Sequence, residues 1–238
     1  MELIPVVDLL GGQVVHARKG QRSHYLPLRS GLCEGSQPET IVGALLALHP
    51  FRTLYIADLD AIQRCGSHAD AIARIRRRFP ALDLWVDAGI GDERTLQHWI
   101  DARLGVPVIG SETMADAQLI VAAQQRCRPR SPILSLDFMG DSFQGPAELL
   151  SSPTDYWPQQ ILAMNLARVG SELGPDLGLI SSLMAAAPDR KVYAAGGVRS
   201  VADLEDLRRI GAAGALIASA LHDGRLDREQ LARVTTPR

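Results

Sequence analysis

"YAAGGVRS", residues 193 to 200, carries a short apolar run in from Lys191 and Val192 and stops it on two adjacent glycines. A helical pattern starts at once. Val201, Leu204, Leu207 and Ile210 recur at helical spacing, Ser200 is placed to cap the first turn, and Gly211 to end the last. Glycine at a strand end costs backbone entropy and packs nothing. Gly196 and Gly197 therefore mark a place where the backbone itself has to come close to something.

The same strand-then-helix order runs through the chain. Near-continuous apolar runs, the pattern of parallel strands covered on both faces, occur at 3–8, 53–58, 82–89, 106–110, 132–137, 161–167, 191–196 and 214–219. Helical patterns lie between them at 38–49, 68–79, 92–104 and 200–211. Eight such units without a long linker or low-complexity segment predict an α/β fold, a single (β/α)8 TIM barrel spanning residues 1–238. A doubly wound open sheet is the competing arrangement. The barrel is favoured because the two halves echo each other: strands end on Asp8 and Asp137, on Gly89 and Gly197, and on Ser111 and Ser219. Gly89 to Ser111 is 22 positions (111 − 89) and Gly197 to Ser219 is also 22 (219 − 197). A register repeated in this way implies two similar half-barrels.

With 46% apolar residues, the 238-residue chain can bury a large core. The formal net charge of −2 comes from 25 basic and 27 acidic residues mixed along the chain. That leaves no field to hold nucleic acid or an anionic membrane, and neither is expected as a partner. Arg74 to Arg78, the densest basic stretch, reads as the wet side of a helix. Cys33, Cys65 and Cys127 are odd in number, far apart and without C-x-x-C spacing. They suggest neither a disulfide framework nor a zinc site and fit a reducing cytoplasm. "MELIPVVDLL" lacks the basic start and long apolar segment of a signal peptide, and no apolar run reaches bilayer length. His24, His68 and His98 show no metal-ligand spacing, so surface or capping positions are expected for them and no metal.

In a barrel of this kind the carboxyl ends of the strands carry the site, and glycines there admit backbone N–H groups to a ligand. Such amides hold an anion well where they meet the start of a helix. Gly196 and Gly197 after the seventh strand, with Ala218 and Ser219 after the eighth, fall where barrels commonly bind phosphate. Their counterparts Gly89, Gly110 and Ser111 imply a second grip across the mouth, hence a long, doubly phosphorylated small molecule as the partner of a monomer or small homo-oligomer. The first loop, Gly11 to Gln37, exceeds ordinary connector length and reads as a mobile lid from which Arg18, Lys19 and Arg22 reach a phosphate. "PTDYWPQQ", residues 153 to 160, puts two prolines and two aromatics where a helix is expected, and either shields the ligand or packs the rim.

"IPVVDLLGGQVV", "YIADLDA" (55–61), Asp137 on the fifth strand, "AAGGVRSVADL" (194–204) and "GALIASALHDGRL" (214–226) together resemble the histidine-biosynthesis barrels. The likeness covers most of the chain and is nearer to the ProFAR isomerases than to the cyclase subunit of imidazole glycerol phosphate synthase. It implies a two-phosphate substrate and an Amadori rearrangement of an aminoaldose to an aminoketose, with no cofactor. It also implies Asp8 as the base, Asp137 as the aspartate of the opposite half, and Arg168, Gly170 and Ser171 as substrate-binding positions after the sixth strand.

Three departures stand out. The family pattern R-D-G-T-x-x-G-P reads "RVGSELGP" at 168–175, so Val169 replaces the general acid. "DAGIGDE" has Ala88 and Gly91 where the family has a glycine pair with arginine, and His16 takes the place of the usual arginine in the first loop. Asp83 and Asp87 bracket the third strand without an assigned role. With "LSLDFMGD" and "ARVGSELGP", the pattern is similar to a divergent branch of ProFAR-isomerase-like proteins associated with tetrahydromethanopterin and methanofuran one-carbon metabolism.

Two functions follow as expectations. The first is an isomerase-like enzyme of aldose–ketose type, opening the ring of a phosphorylated ribosyl compound by acid and base catalysis in one-carbon cofactor biosynthesis. Two carboxylates in unlike surroundings can divide that work. The alternative is a catalytically inactive phosphometabolite-binding barrel acting as an assembly or regulatory subunit. Val169 speaks for the alternative; Asp8 and Asp137 speak for the enzyme.

Overall fold

The eight apolar runs form the parallel strands β1 (Glu2–Leu10), β2 (Thr53–Asp58), β3 (Asp83–Asp87), β4 (Val106–Gly110), β5 (Ile133–Met139), β6 (Gln160–Asn165), β7 (Lys191–Ala195) and β8 (Gly214–Ile217). The structure is a computed structural model describing residues 1–235. Each strand pairs with the next in parallel, and Glu2↔Gly214 through Pro5↔Ile217 join β8 back to β1. The sheet is therefore closed, and the open doubly wound alternative is excluded. The sixth run is shorter than its apolar residues suggest, because a 3-10 turn at Leu166–Arg168 takes over after Asn165.

Helices Pro38–Leu48, Ala69–Arg78, Glu93–Ala102 and Val201–Ile210 occupy the expected segments. Gln118–Arg126, Leu177–Ala186 and Arg228–Thr235 complete the outer ring. In Val201–Ile210 the Ser200 side chain accepts the Asp203 N–H, and Gly211 ends the helix at φ +90°. In Ala69–Arg78, Ala71, Ile72 and Ile75 are buried while Arg76 to Arg78 face solvent. After β5 the helix is reduced to two single turns, Glu148–Ser151 and Pro153–Tyr156. Trp157 is buried there and its indole N–H donates to Leu149 O at 2.7 Å, so "PTDYWPQQ" packs the rim.

Two apolar layers result. Ile41, Ile72, Leu96, Ile120, Ile180 and Leu204 of the helices pack on Val7, Ile56, Val86 and Ile109 of the strands. Inside the barrel, Ile4, Tyr55, Trp85, Val108, Leu162, Tyr193 and Leu216 fill the interior. Trp85 and Tyr193 meet edge to face with centroids 5.0 Å apart and planes at 82°, a geometry favoured by the ring quadrupoles. Each lies four positions before its half's glycine (89 − 85; 197 − 193), so the duplicated register reaches into the core.

The halves also share a device that the sequence did not announce. Gln13–His16 folds back antiparallel on β1 with Asp8↔Val15, and Ser142–Gln144 folds back on β5 with Asp137↔Gln144. The offset is seven in both (15 − 8; 144 − 137), and Gly11 and Gly140 turn the chain at φ +55° and +63°. Residues 11–37 are accordingly a hairpin extension tied to the barrel. Leu26–Pro27 adds a third strand, the buried Leu28 donates its N–H to Val14 O, and the Gly31 N–H reaches His222 O.

A β carbon at Gly197 (φ +89°) would stand 2.2 Å from Gly174 O, whereas one at Gly224 (φ +71°) would meet nothing within 4 Å. Urea denaturation should therefore show Gly224→Ala losing about 1 kcal/mol, the backbone strain alone, and Gly197→Ala losing about 3 kcal/mol, since Gly174 must also move. Equal losses would mean that close approach is not what the glycine pair serves.

Candidate active site

A cavity of about 210 Å³ opens at the carboxyl ends of the strands. Asp8, Asp137, Arg18, Gly170, Ser171, Gly196, Gly197, Ala218 and Ser219 line it, as does Val169. Lys19, Arg168, Gly89, Gly110 and Ser111 do not.

The corner between β7 and β8 explains the glycine pair. A β carbon on Gly196 (φ +100°) would be 2.8 Å from Asn165 O, so glycine at 196 and 197 lets the loop after β6 lie directly on the end of β7. That loop is covered in turn by the first hairpin. A β carbon on Gly170 would sit 2.3 Å from Ala17 O, and the Lys19 N–H donates to Val169 O. Arg168 braces the loop from behind, donating to Leu173 O and Gly174 O and pairing with Asp176 at 3.2 Å. Its guanidinium is not free for a ligand. Around Ser219 the charges are mixed: His16 Nε2 lies 3.1 Å from Ser219 Oγ, Arg18 faces the same space, and Arg225 is paired there with Asp223 at 3.0 Å and Glu172 at 3.4 Å. Burial, then the neighbouring Arg18, holds the His16 imidazole below its usual range. Outside the strand ladders and helices, no backbone acceptor meets the N–H of Gly197 or Ser219 among the described residues.

The corner between β3 and β4 departs from the expected second phosphate grip. Ser111 is fully buried; its N–H donates to Ser135 O at 2.9 Å and its hydroxyl to Gln144 O at 2.7 Å. The Gly89 N–H donates to Asp87 Oδ1 at 3.0 Å, and Gly110 is buried between Asp137 Oδ2 and Asp87 Oδ2. The physical reason lies in the two hairpins. Eight positions after Asp8 stands His16, whose ring meets Ser219; eight after Asp137 stands Gly145 (137 + 8). A β carbon on Gly145 would be 2.7 Å from Ser111 Cβ. Bare backbone thus descends onto Ser111 where a ring stands off from Ser219.

Carboxylates occupy the first-half side instead. Asp137 is clamped, its Oδ1 accepting from Ser135 Oγ at 2.7 Å and its Oδ2 from the Glu112 N–H at 3.1 Å. The Asp8 carboxyl accepts no hydrogen bond among the described residues and faces Arg22, which ion-pairs with Glu112 across the mouth. Arg22 is thereby engaged by a carboxylate. Below the rim, His68 stands at the N-cap position of Ala69–Arg78, one of the two places expected for it, but its side chain is buried and makes no capping bond. Its Nδ1 meets Asp58 Oδ1 at 2.7 Å and its Nε2 faces the Gly12 N–H at 2.8 Å, an arrangement that puts the proton on Nδ1 and pins the first hairpin's turn.

The family model described as "Histidine biosynthesis protein" matches residues 2–227. The chain belongs to that family. It is 29% identical to an uncharacterized protein of Methanocaldococcus jannaschii over 97% of both chains. It is similar to the 1-(5-phosphoribosyl)-5-((5-phosphoribosylamino)methylideneamino) imidazole-4-carboxamide isomerases of Streptococcus sanguinis, at 24% identity over 97% of both chains, and of Stenotrophomonas maltophilia, at 26% over 94% of this chain and 95% of that one.

In this histidine biosynthesis family barrel three carboxyls are pushed upward. Burial raises Asp8 to about 7, Arg22 opposing; burial raises Asp137 to about 7 against its Ser135 hydrogen bond; and burial raises Asp87 to about 6. Asp87 and Glu112, both in the cavity wall, carried no role in the sequence. The available signal for Asp87 was its place at a strand end, level with the Asp–x–Gly turn that its own carboxylate closes. Glu112 gave no signal, because its importance depends on Arg22 reaching it from 90 residues away.

An acid with a raised native pKa favours folding below its unfolded value of 3.8 and loses that contribution as pH rises through the native value. Asp8→Asn removes an ionisable group that makes no hydrogen bond. Thermal unfolding should show the variant more stable than the parent by ~3 °C at pH 8, with the difference closing toward pH 4. A gain independent of pH would show that Asp8 is not held protonated by its enclosure.

Proposed function

We propose that the chain is an isomerase-type enzyme acting on a phosphoribosyl compound by acid–base ring opening. The observation that carries the reading is the unbonded Asp8 carboxyl, raised to about 7, in the same cavity as the clamped Asp137 and the glycine-rich corner at Gly196, Gly197, Ala218 and Ser219. Family membership and the two phosphoribosyl isomerases among its relatives support the substrate class. The phosphate takes the N–H groups of Gly197 and Ser219, with Arg18 as countercharge and the His16 ring beside Ser219.

Ring opening needs a proton delivered to the ring oxygen, and formation of the ketose needs one removed from carbon 2. At neutral pH, groups near 7 are divided between protonated and ionised forms. Asp8 and Asp137 together can supply both steps although Val169 replaces the family's acid. Asp137 in its protonated form gives the ring oxygen its proton as the ring C–O bond breaks, and Asp8, ionised and with no carboxyl hydrogen bond to break, takes the proton from carbon 2; exchange with solvent resets both. Asp137, fixed by its donors, steadies positive charge that develops as the ring opens. A place for this reaction in tetrahydromethanopterin or methanofuran biosynthesis is the finer form of the proposal, carried by the sequence resemblance alone.

The competing reading, a binding subunit without turnover, is favoured by Val169 in the cavity wall. Asp8→Asn separates the two. The enzyme reading expects kcat to fall at least ~100-fold with affinity for inorganic phosphate unchanged. Full turnover by the variant would remove Asp8 from the chemistry. Phosphoribosyl ligands that stabilise the parent protein in a thermal shift without being converted would favour the binding subunit.

A further inference from the structure

The donors that a second phosphate would need at the first-half corner are already in use. The Ser111 N–H and hydroxyl go to Ser135 O and Gln144 O, the Glu112 N–H goes to Asp137, and the Gly89 N–H goes to Asp87. Glu112 projects its carboxylate into the cavity at that end, and Arg22 pairs with it. Across the mouth the N–H groups of Gly197 and Ser219 meet no backbone acceptor outside the ladders and helices among the described residues, and Arg18 faces the cavity, while Arg225 is held by Glu172 and Asp223. One end of the cavity thus offers free amides beside Arg18, the other occupied amides beside Glu112 and Asp137.

Resting on the phosphate reading above, we propose that the ligand carries a single phosphate at the Ser219 corner and that its far end, facing Glu112 and Asp137, bears hydroxyls or an amine and no negative charge. A phosphate brought there would meet the Glu112 and Asp137 carboxyls at short range with the nearby amides already engaged, an arrangement that discriminates between ligands. Glu112 is the residue that sets this specificity. Its substitution to glutamine removes one negative charge and releases Arg22 to an incoming anion.

Isothermal titration of the full chain with ribose 5-phosphate, ribulose bisphosphate and inorganic phosphate tests this. The monophosphate should bind about tenfold or more tighter than the bisphosphate. Glu112→Gln should narrow that gap by strengthening the bisphosphate while leaving inorganic phosphate unaffected. Arg18→Met should weaken the monophosphate about tenfold. Bisphosphate binding as tightly as the monophosphate to the parent protein overturns the single-phosphate inference while leaving the phosphoribosyl reading intact. So does a monophosphate indifferent to Arg18→Met. Failure of all three probes, inorganic phosphate included, removes the phosphoribosyl reading itself.

Discussion

Closure of the sheet is the constraint on which the rest depends. Four residue pairs, Glu2 to Pro5 against Gly214 to Ile217, join the last strand to the first. Through them Asp8 and Ser219, 211 positions apart (219 − 8), line one cavity. Parallel pairing sends every strand's carboxyl end to the same side, so the groups that end strands are gathered there whatever their order in the chain. The apolar interior beneath, with Trp85 against Tyr193, leaves the mouth as the space available to a ligand.

Within that frame a duplicated architecture has acquired unequal chemistry. Both halves place an aspartate on the first strand, a back-folded hairpin seven residues later, a strand-end glycine, and a serine 22 positions beyond it. One residue type decides how the serine is used. Gly145 lets backbone settle on Ser111 and bury it, while His16, at the equivalent position, touches Ser219 with its ring and leaves it in the cavity wall. The absence or presence of a side chain at one hairpin position thus separates a closed, carboxylate-lined end from one whose serine stays open to the cavity.

That polarity is costly to the fold. Asp8, Asp87 and Asp137 are all driven upward by enclosure, and each weakens the native state as it ionises. A chain selected for stability alone would place neutral groups there. Three raised carboxyls in one cavity are a common signature of a site arranged for proton exchange, and their retention beside Val169 is the strongest mark against a barrel that merely binds.

The sequence by itself determined the strands, most of the helices, the closed barrel through its repeated register, and the strand-end residues Asp8, Asp137, Gly196 and Gly197. These are local matters, since apolar runs, caps and glycines act over a few residues. Only the tertiary structure decided that Ser111 is sealed, that Arg168 braces a loop, that His68 is buried against Asp58, and that Asp87 and Glu112 face the cavity. The reason is the same in each case. Whether a polar group is free, buried or opposed by charge depends on which distant backbone comes to rest on it, and hydrogen bonds such as Gly12 to His68 or Ser111 to Gln144 join residues 56 and 33 positions apart, well beyond the reach of any sequence pattern.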